Sequence, residues 1–295
     1  MSSPRLLVVH RRSAYTDLVS YRKNSRVSQL INEQSPLVAG IVTAHEDHNR
    51  AMELIKQAMK NRGLDTTWRH RIGDLNPDDF DLVITVGGDG TVLHASHSIS
   101  DTPVLAVNSS PSTSVGFFTC ADAASFPVML DKVLSDEVKP STLSRMEIKV
   151  NGEVVTDCAL NDALFCHDCP ASTTRYIISF QDASEHQLSS GVWVATAAGS
   201  TAAIRSAGGH PMLPRSKRLQ FAVREPFPSG GKEKQSRPTM KRGFVKDGKT
   251  LTLRSKTEAA RLYVDGPHVV FPVAFGDEVT FSRSNNSLRL YTALN

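Results

Sequence analysis

Long apolar runs, cysteines and aromatic residues are all scarce in this chain of 295 residues. No stretch of 18 consecutive apolar residues occurs, so we predict no membrane-spanning helix and no membrane partner. The N-terminus lacks a secretory signal pattern, and the C-terminal Ala-Leu-Asn is not a peroxisomal signal of the Ser-Lys-Leu type. We therefore expect a cytoplasmic protein, with an organelle such as the peroxisome as the alternative.

The four cysteines are too few for a disulfide framework in a chain of this length. Cys166-His-Asp-Cys169 has the spacing of a metal-binding pair, but a zinc site needs four ligands. The other obvious candidates are His167, which is adjacent in sequence, and Cys158, which is distant. We expect reduced thiols and no metal site among these residues.

The net charge of +4 is mild, and much of it lies in residues 215–218 and 232–242. Aromatic residues form only 6% of the chain, and none of them is interleaved with these basic residues. Basic stretches that bind nucleic acid combine charge with stacking aromatics or a known module. We therefore predict no nucleic-acid partner and expect solvated loops that add positive potential near an anionic substrate.

The most informative stretch is Leu82-Val-Ile-Thr-Val-Gly-Gly-Asp-Gly-Thr91, an apolar strand that runs into three glycines around one carboxylate. Glycines adopt backbone angles closed to other residues and let phosphates approach main-chain N–H groups. A helix predicted over residues 91–99 would direct its N-terminal N–H groups at the same phosphates. The pattern predicts a nucleoside triphosphate site. Neither a Walker loop nor a strand-coupled Gly-x-Gly-x-x-Gly is present, so P-loop NTPases and ordinary Rossmann dehydrogenases are not indicated.

Asp89 is the unexpected member of this loop, because a carboxylate repels phosphate. It is tolerable if it binds the Mg²⁺ that accompanies the nucleotide or takes a proton from an attacking hydroxyl. Both roles indicate phosphoryl transfer. The alternative is a tight turn in which Asp89 only caps the following helix. The position at the carboxyl end of a strand, where α/β folds bind ligands, favours the functional interpretation.

The order of predicted elements changes along the chain. Strands at 6–10, 82–86 and 104–108 alternate with helices at 47–62, 91–99 and 121–134, which predicts a parallel sheet. After Pro140, alternating stretches around Asn151-Gly152 predict a β-hairpin, and further short strands follow. The predicted strands lie at residues 176–180, 191–196, 219–223, 251–253, 261–264 and 278–281.

The predicted fold class is therefore α/β plus β. We assign residues 1–140 to an α/β nucleotide-binding domain and residues 141–275 to a β domain. Residues 276–295 form a C-terminal segment for which a return to the N-terminal domain is left open.

The β half has polar elements of its own: Asn161-Asp162, Gly199-Ser-Thr201 and Asp265-Gly266. Each alone predicts only a turn or a helix start. Together with the loop at 87–91 and Asn108-Ser-Ser-Pro-Ser-Thr-Ser-Val-Gly-Phe117, their order resembles the NAD kinase family from about residue 80 to residue 270. Diacylglycerol and sphingosine kinases and phosphofructokinases are similar only at Gly-Gly-Asp-Gly.

The resemblance implies an ATP-dependent 2′-phosphorylation of NADH or NAD⁺, with Mg²⁺, by an α/β domain and a C-terminal β-sandwich. It also implies a homodimer or a homotetramer. Asp89 would be the catalytic residue, and Phe117, Asn161 and Asp162 would contact the dinucleotide. The full set of implied nucleotide-binding residues is Gly87, Gly88, Gly90, Thr91, Asn108, Phe117, Asn161, Asp162, Thr201, Ala202 and Ser206.

Several positions depart from the usual family pattern and resemble the plant-type NADH kinase branch. Ser190 stands where an acidic residue is usual, Ala198 where a hydroxyl residue is usual, and Ala203 where a tyrosine is usual. We therefore expect a less polar, roomier pocket and a preference for NADH, because a cationic nicotinamide loses an attraction where the acid is missing. The alternatives are a non-catalytic NAD(H)-binding protein and a lipid kinase that shares the glycine loop.

Overall fold

The computed structural model describes residues 3–228 and 238–292. The chain divides into two compact units, Met1–Ser141 with Arg289–Asn295 (unit 1) and Thr142–Leu288 (unit 2). The domain assignment made from the sequence, 1–140, 141–275 and 276–295, stays a prediction. Most of the basic stretch 232–242 lies outside the described residues, so its predicted role is untested.

Unit 1 contains a parallel sheet in the order β4-β3-β1-β2. β1 and β3 are apolar and buried almost throughout, so both faces of the sheet need cover from helices. The short β5 pairs with β4 on the same side as the last residues of β17, where Leu290 lies opposite Val104. The strands are β1 Arg5–His10, β2 Asp65–Arg69, β3 Leu82–Gly87, β4 Val104–Asn108, β5 Ala121–Asp122 and β17 Glu278–Tyr291.

Within its described residues, unit 1 has four α-helices beside this sheet: α1 Ser25–Asn32, α2 Pro36–Asn61, α3 Asp89–Ser96 and α4 Phe126–Leu134. The predicted start of α2 at residue 47 was wrong, because the helix begins at Pro36 behind a Ser35 cap. The predicted helix 121–134 was also wrong at its start. Residues 121–122 form β5, and Asp122 accepts hydrogen bonds from the Ala124 and Ser125 amides in the turn before α4.

Unit 2 is built from two antiparallel sheets that share one core. Its first sheet includes β10, β9, β14 and β17, with β6 and β7 paired beyond β17, and its second has the order β13-β12-β11-β8-β15-β16. The strands are β6 Ser141–Val150, β7 Glu153–Ala159, β8 Asp162–His167, β9 Thr174–Phe180, β10 Ala183–Ser189, β11 Gly191–Ala195, β12 Leu219–Arg224, β13 Arg242–Val245, β14 Leu251–Ser255, β15 Ala260–Val264 and β16 Val269–Val273.

The sandwich follows from period-two alternation along these strands. Phe165 and Val194 from the second sheet and Ile178 and Leu253 from the first belong to one buried cluster. The predicted hairpin is present: Asn151 and Gly152 both have positive φ between β6 and β7, as a tight two-residue turn requires. The predicted fold class, α/β plus β, is confirmed. No helix in the described ranges is long and apolar enough to cross a membrane.

Candidate active site

The glycine loop, residues 87–91, joins β3 directly to α3. The helix begins at Asp89 with Gly88 as its N-cap, two residues before the predicted start at Thr91. The expectation that these glycines occupy angles closed to other residues was wrong, since Gly87, Gly88 and Gly90 are not among the glycines with positive φ. A side chain at 87 or 88 would instead meet neighbouring atoms, and at 90 it would occupy open space.

Each glycine of the loop has a different steric setting. A Cβ on Gly87 would lie 2.1 Å from Thr91 Oγ1, and one on Gly88 would lie 3.0 Å from Ser114 Oγ. A Cβ on Gly90 would meet nothing within 4 Å. Packing therefore requires glycine at 87 and disfavours a side chain at 88, whereas Gly90 leaves open space at the N-terminus of α3. An anion can approach the unpaired N–H groups of a helix start through such an opening.

Asp89 faces the segment that follows β4. Its two carboxylate oxygens accept hydrogen bonds from the amides of Phe117 and Phe118, at 3.0 and 2.8 Å. The carboxylate is half-buried, and each oxygen keeps a second lone pair for another partner. The amide bonds hold Asp89 in one orientation at the start of the helix.

Asn108 lies at the end of β4, opposite Gly87 at the end of β3. Its side-chain amide donates to the Ser114 carbonyl at 2.9 Å and accepts from the Ser110 amide at 3.1 Å. A Cβ on Gly116 would lie 2.5 Å from this side chain, so the loop packs directly on it. Asn108 thus shapes the segment that presents the Phe117 amide to Asp89.

In unit 2, one turn carboxylate organises the Asn161-Asp162 pair. Asp265, at the turn between β15 and β16, accepts hydrogen bonds from the amides of Leu160, Asn161 and Asp162 at 2.8, 2.7 and 3.1 Å. The amide of Asp265 in turn donates to the Asp162 carbonyl at 2.9 Å. Three amides on one carboxylate fix the start of β8 firmly.

The Gly199-Ser-Thr201 element packs against the same segment. A Cβ on Gly199 would lie 1.9 Å from the Asn161 carbonyl oxygen, so only glycine fits there. The hydroxyl of Thr196 donates to the Leu160 carbonyl at 2.5 Å, and the Gly199 amide donates to that hydroxyl at 3.2 Å. Thr201 is exposed and Ala202 half-buried at the end of this short turn.

A cavity of about 470 Å³ opens on the outer face of the second sheet of unit 2. Its wall includes Trp193, Leu164 and Tyr263, which are direct cross-strand neighbours on β11, β8 and β15. Asp162 and Ser190 also line it. The lining also includes charged side chains, among them Asp168, Arg224 and Glu225, and a cavity of this size that combines apolar with polar groups is typical of small-molecule sites.

A second cavity of about 490 Å³ in unit 2 is lined by Trp193, Ala203, Ser206 and Arg242, among others. Two of the three departures from the usual family pattern therefore line cavities, Ser190 the first and Ala203 the second. Ala198, the third, is buried in the turn before Gly199.

Asp162 is the titratable group of the first cavity whose chemistry the fold changes strongly. Burial raises the pKa of its carboxyl to about 7, and the negative charge of Asp265 acts in the same direction. Only 5% of the residue is exposed. Near neutral pH this carboxyl can therefore exist as a hydrogen-bond donor as well as an acceptor.

The comparisons with known proteins agree with this arrangement. The model of the ATP-NAD kinase N-terminal domain matches residues 6–138. A probable NADH kinase of Oryza sativa subsp. japonica is 38% identical over 258 residues, which span 80% of this chain and 78% of that protein. The chain belongs to the NAD kinase family. The NADH kinase of Arabidopsis thaliana is 37% identical over 236 residues, 72% of this chain and 73% of that protein. The resemblance to plant NADH kinases is thus confirmed.

Two solved structures share the fold of this NAD kinase family member. One is an NAD kinase from Archaeoglobus fulgidus in complex with ATP, with 19% identity, a TM-score of 0.68 and coverage of 98% of this chain and 94% of that chain. The other is yeast NADH kinase complexed with NADH, with 17% identity, a TM-score of 0.65 and coverage of 100% and 85%. At these identities the likeness establishes the fold alone.

Within each unit of this NAD kinase family member, most predicted site residues lie together. Hydrogen bonds or strand register connect Gly87, Asp89, Asn108 and Phe117 in unit 1. In unit 2, Asn161 contacts the turn that contains Gly199 and Thr201, Asp162 follows it at the start of β8, and Ser206 lines the second cavity.

Sequence reasoning missed two aromatic residues of the cavity. It gave neither Trp193 nor Tyr263 a role in ligand binding, whereas Trp193 lines both cavities and also packs against the small buried cluster of Ala195, Ile204 and Ala222. Strand alternation carried the missing signal, because Val192 and Val194 are buried in the core and Trp193 must therefore point to the other face.

Proposed function

We propose that this protein transfers the γ-phosphoryl group of ATP to the 2′-hydroxyl of the adenosine ribose of NADH or NAD⁺. The observation that carries the proposal is the orientation of Asp89, which two backbone amides fix at an open helix N-terminus. Family membership and the relatives named as NADH kinases support the same reaction. A kinase site needs the parts that this loop combines: a base, backbone donors and space for phosphate.

In the proposed reaction, Asp89 accepts the proton of the 2′-hydroxyl. The hydroxyl oxygen then forms a bond to the γ-phosphorus, the bond between that phosphorus and the β,γ-bridging oxygen breaks, and ADP leaves. The N–H groups at the start of α3 stabilise the charge on the phosphates, and Gly90 leaves room for their approach.

Mg²⁺ fits this donor set only as a companion of the nucleotide. The described residues contain no group of three or more His, Cys, Asp or Glu side chains arranged for a metal ion. Mg²⁺ is usually held by one or two carboxylates, water and substrate phosphates, and Asp89 is the one carboxylate in the glycine loop. When bound, the ion would neutralise charge on the transferred phosphoryl group.

The test replaces Asp89 by Asn, which keeps the shape and removes the base. We expect turnover of NAD(H) with Mg-ATP to fall by at least about 100-fold, the usual contribution of a general base. Asp78→Asn is the matched control, because Asp78 also accepts two backbone amides in unit 1 but precedes β3. Equal loss in both variants, or none in Asp89→Asn, would reject the assigned role.

We further propose that NADH is the preferred acceptor and that Ser190 contributes to the preference. Ser190 lines a cavity with aromatic walls, and the missing acidic side chain at this position removes one attraction for a cationic nicotinamide. Ser190→Asp should raise kcat/KM for NAD⁺ relative to NADH by about tenfold, the effect of one additional charge pair of about 1.4 kcal/mol. An unchanged ratio of the two kcat/KM values would show that Ser190 does not contribute to the preference.

The assembly state and the location are also proposals. The family resemblance supports a homodimer or a homotetramer, and the cytoplasmic location expected from the sequence stays a proposal. Light scattering on the purified protein tests the first, and fractionation of the source cells tests the second. A monomer at assay concentration would overturn the proposed assembly.

A further inference from the structure

A guanidinium that forms no ion pair with the other described residues lies at the carboxyl end of the parallel sheet in unit 1. His10 of β1 pairs with Val86 of β3, and the Arg11 amide donates to the Val86 carbonyl at 3.2 Å. Arg11 therefore runs alongside Gly87, the first glycine of the glycine loop. Sequence analysis assigned no role to it.

Arg11 is half-buried, and its Nε atom is buried without a hydrogen-bond partner. None of the ion pairs found among residues 3–228 and 238–292 includes it. Burial lowers the pKa of its guanidinium, and no carboxylate acts in the opposite direction. Arginine nevertheless stays charged at neutral pH, so the fold holds an unpaired cation.

The neighbours of Arg11 on β1 and α2 are the histidines His10 and His48, and burial disfavours their charged forms. His48 of α2 is 5% exposed, and its Nδ1 atom is also buried without a partner. Burial lowers the pKa of His48 to about 4, and the charges of Arg11 and His10 lower it too. The charges that act on His10 are those of Lys56 and Arg12, again both basic.

The nearest acid along α2 is engaged elsewhere. Asp47 precedes His48, and its carboxylate accepts hydrogen bonds from the hydroxyls of Ser110 and Ser112. It therefore holds the segment after β4. No carboxylate among the described residues neutralises Arg11, so its positive charge is retained at the carboxyl end of the sheet, where α/β folds bind ligands.

A half-buried cation without a partner costs free energy in the free protein, and an anion removes that cost. The planar guanidinium fork matches the oxygens of a phosphate group. Building on the proposed kinase function, we propose that Arg11 binds the polyphosphate chain of the phosphoryl donor, a nucleoside triphosphate. It would do so from β1, beside the backbone donors that α3 supplies from β3.

The test compares Arg11→Gln with Arg12→Gln. Arg12 is the next residue and equally charged, but it is exposed and lies over the ring of Tyr21 at 4.0 Å. Isothermal titration with Mg-ATP and with inorganic tripolyphosphate measures donor binding, and initial rates give KM for ATP and for NADH. We expect Arg11→Gln to weaken both anions and raise KM for ATP by about 10- to 100-fold, with KM for NADH unchanged. Arg12→Gln should match the wild type.

Two results would overturn the proposal. In one, Arg11→Gln binds ATP and tripolyphosphate as the wild type does. In the other, it raises KM for NADH and leaves KM for ATP unchanged, which would assign the guanidinium to the pyrophosphate of the dinucleotide. Arg11→Lys, which keeps the charge and loses the fork, should fall between the wild type and Arg11→Gln.

Thermal unfolding separates this role from a structural one. Because Arg11 lacks a partner, Arg11→Gln should melt at the wild-type temperature or above it. A clear drop in melting temperature would show that Arg11 supports the fold and would count against the proposal. If the wild type shows no turnover of NAD(H) at all, the proposed function fails, and the titrations with ATP and tripolyphosphate still decide the role of Arg11.

Discussion

At the residue scale, the buried carboxyl of Asp162 couples folding to pH. Its pKa is about 7 in the folded protein and about 3.9 in an unfolded chain. Below about pH 4 both states are protonated, so the residue has no effect. Between about pH 4 and 7 the folded state holds a proton that the unfolded state has lost, and stability falls as the pH rises. Above about pH 7 the loss is constant.

Asp162→Asn should remove this dependence. We expect the free energy of unfolding of the wild type, relative to the variant, to decrease between about pH 4 and 7 by on the order of a few kcal/mol. Urea unfolding of both proteins across that range measures it. A difference that stays constant with pH would show that Asp162 titrates normally.

Also at this scale, the site residues that the sequence singled out are those whose type is chemically unusual for their setting. Asp89 within three glycines and Asp162 after an asparagine could be found in the linear sequence. Arg11 and Trp193 could not, because an arginine after a strand and a tryptophan within one are ordinary. Their significance depends on partners that only folding supplies or withholds.

At the element scale, the junction of β3 and α3 contains two glycines with different roles. Gly87 is required by packing, and Gly90 leaves space for a ligand. Gly87→Ala should destabilise the protein by about 1–3 kcal/mol, because its Cβ would meet the Thr91 side chain. Gly90→Ala adds a helix-favouring residue in open space and should be neutral or stabilising by about 0.5 kcal/mol. Chemical denaturation of the two variants provides this comparison.

Affinity for ATP should not follow the stability of these variants. Gly90→Ala, although stable, should lose much of its affinity for ATP, because the methyl group occupies the approach to the helix N-terminus. If a folded Gly90→Ala variant bound ATP with the affinity of the wild type, the phosphates would not bind at the N-terminus of α3.

Asp265 also acts at the scale of an element, because its carboxylate, in a turn, orders the start of β8. Asp265→Asn should lower the free energy of unfolding by about 2 kcal/mol, because three amides lose a charged acceptor. Asp277→Asn is the control, a turn aspartate of unit 2 whose carboxylate accepts from one backbone amide, that of Ala274, and from one Asn151 side-chain N–H within the described part of the chain. If both variants lost the same free energy of unfolding, the three hydrogen bonds to the start of β8 would not stabilise the protein more than those of an ordinary turn aspartate.

Element boundaries show where sequence patterns are insufficient. The start of α2 was missed because its first turns carry few buried residues and so show no periodic apolar face. β2, with its half-buried Thr66, Thr67 and Trp68, was missed because it has too little apolar alternation. The Asn151-Gly152 hairpin was predicted correctly, since its geometry depends on two residues that favour positive φ.

At the scale of the whole molecule, the order of motifs carried more information than any single motif. The glycine loop alone left kinases of several substrate classes open, and the polar elements of unit 2 alone predicted turns. Their combination pointed to the NAD kinase family, and the sequence and structure comparisons agree. The two-unit division follows from a change in pattern, from strands alternating with helices to consecutive short strands.

The most direct measurement is the initial rate of NADPH and NADP⁺ formation by the purified protein, with Mg-ATP and either NADH or NAD⁺. We predict turnover with both dinucleotides, a higher kcat/KM for NADH than for NAD⁺, and a loss of turnover in Asp89→Asn. Binding of NADH without any turnover in the presence of Mg-ATP would contradict the account and leave a dinucleotide-binding protein in its place.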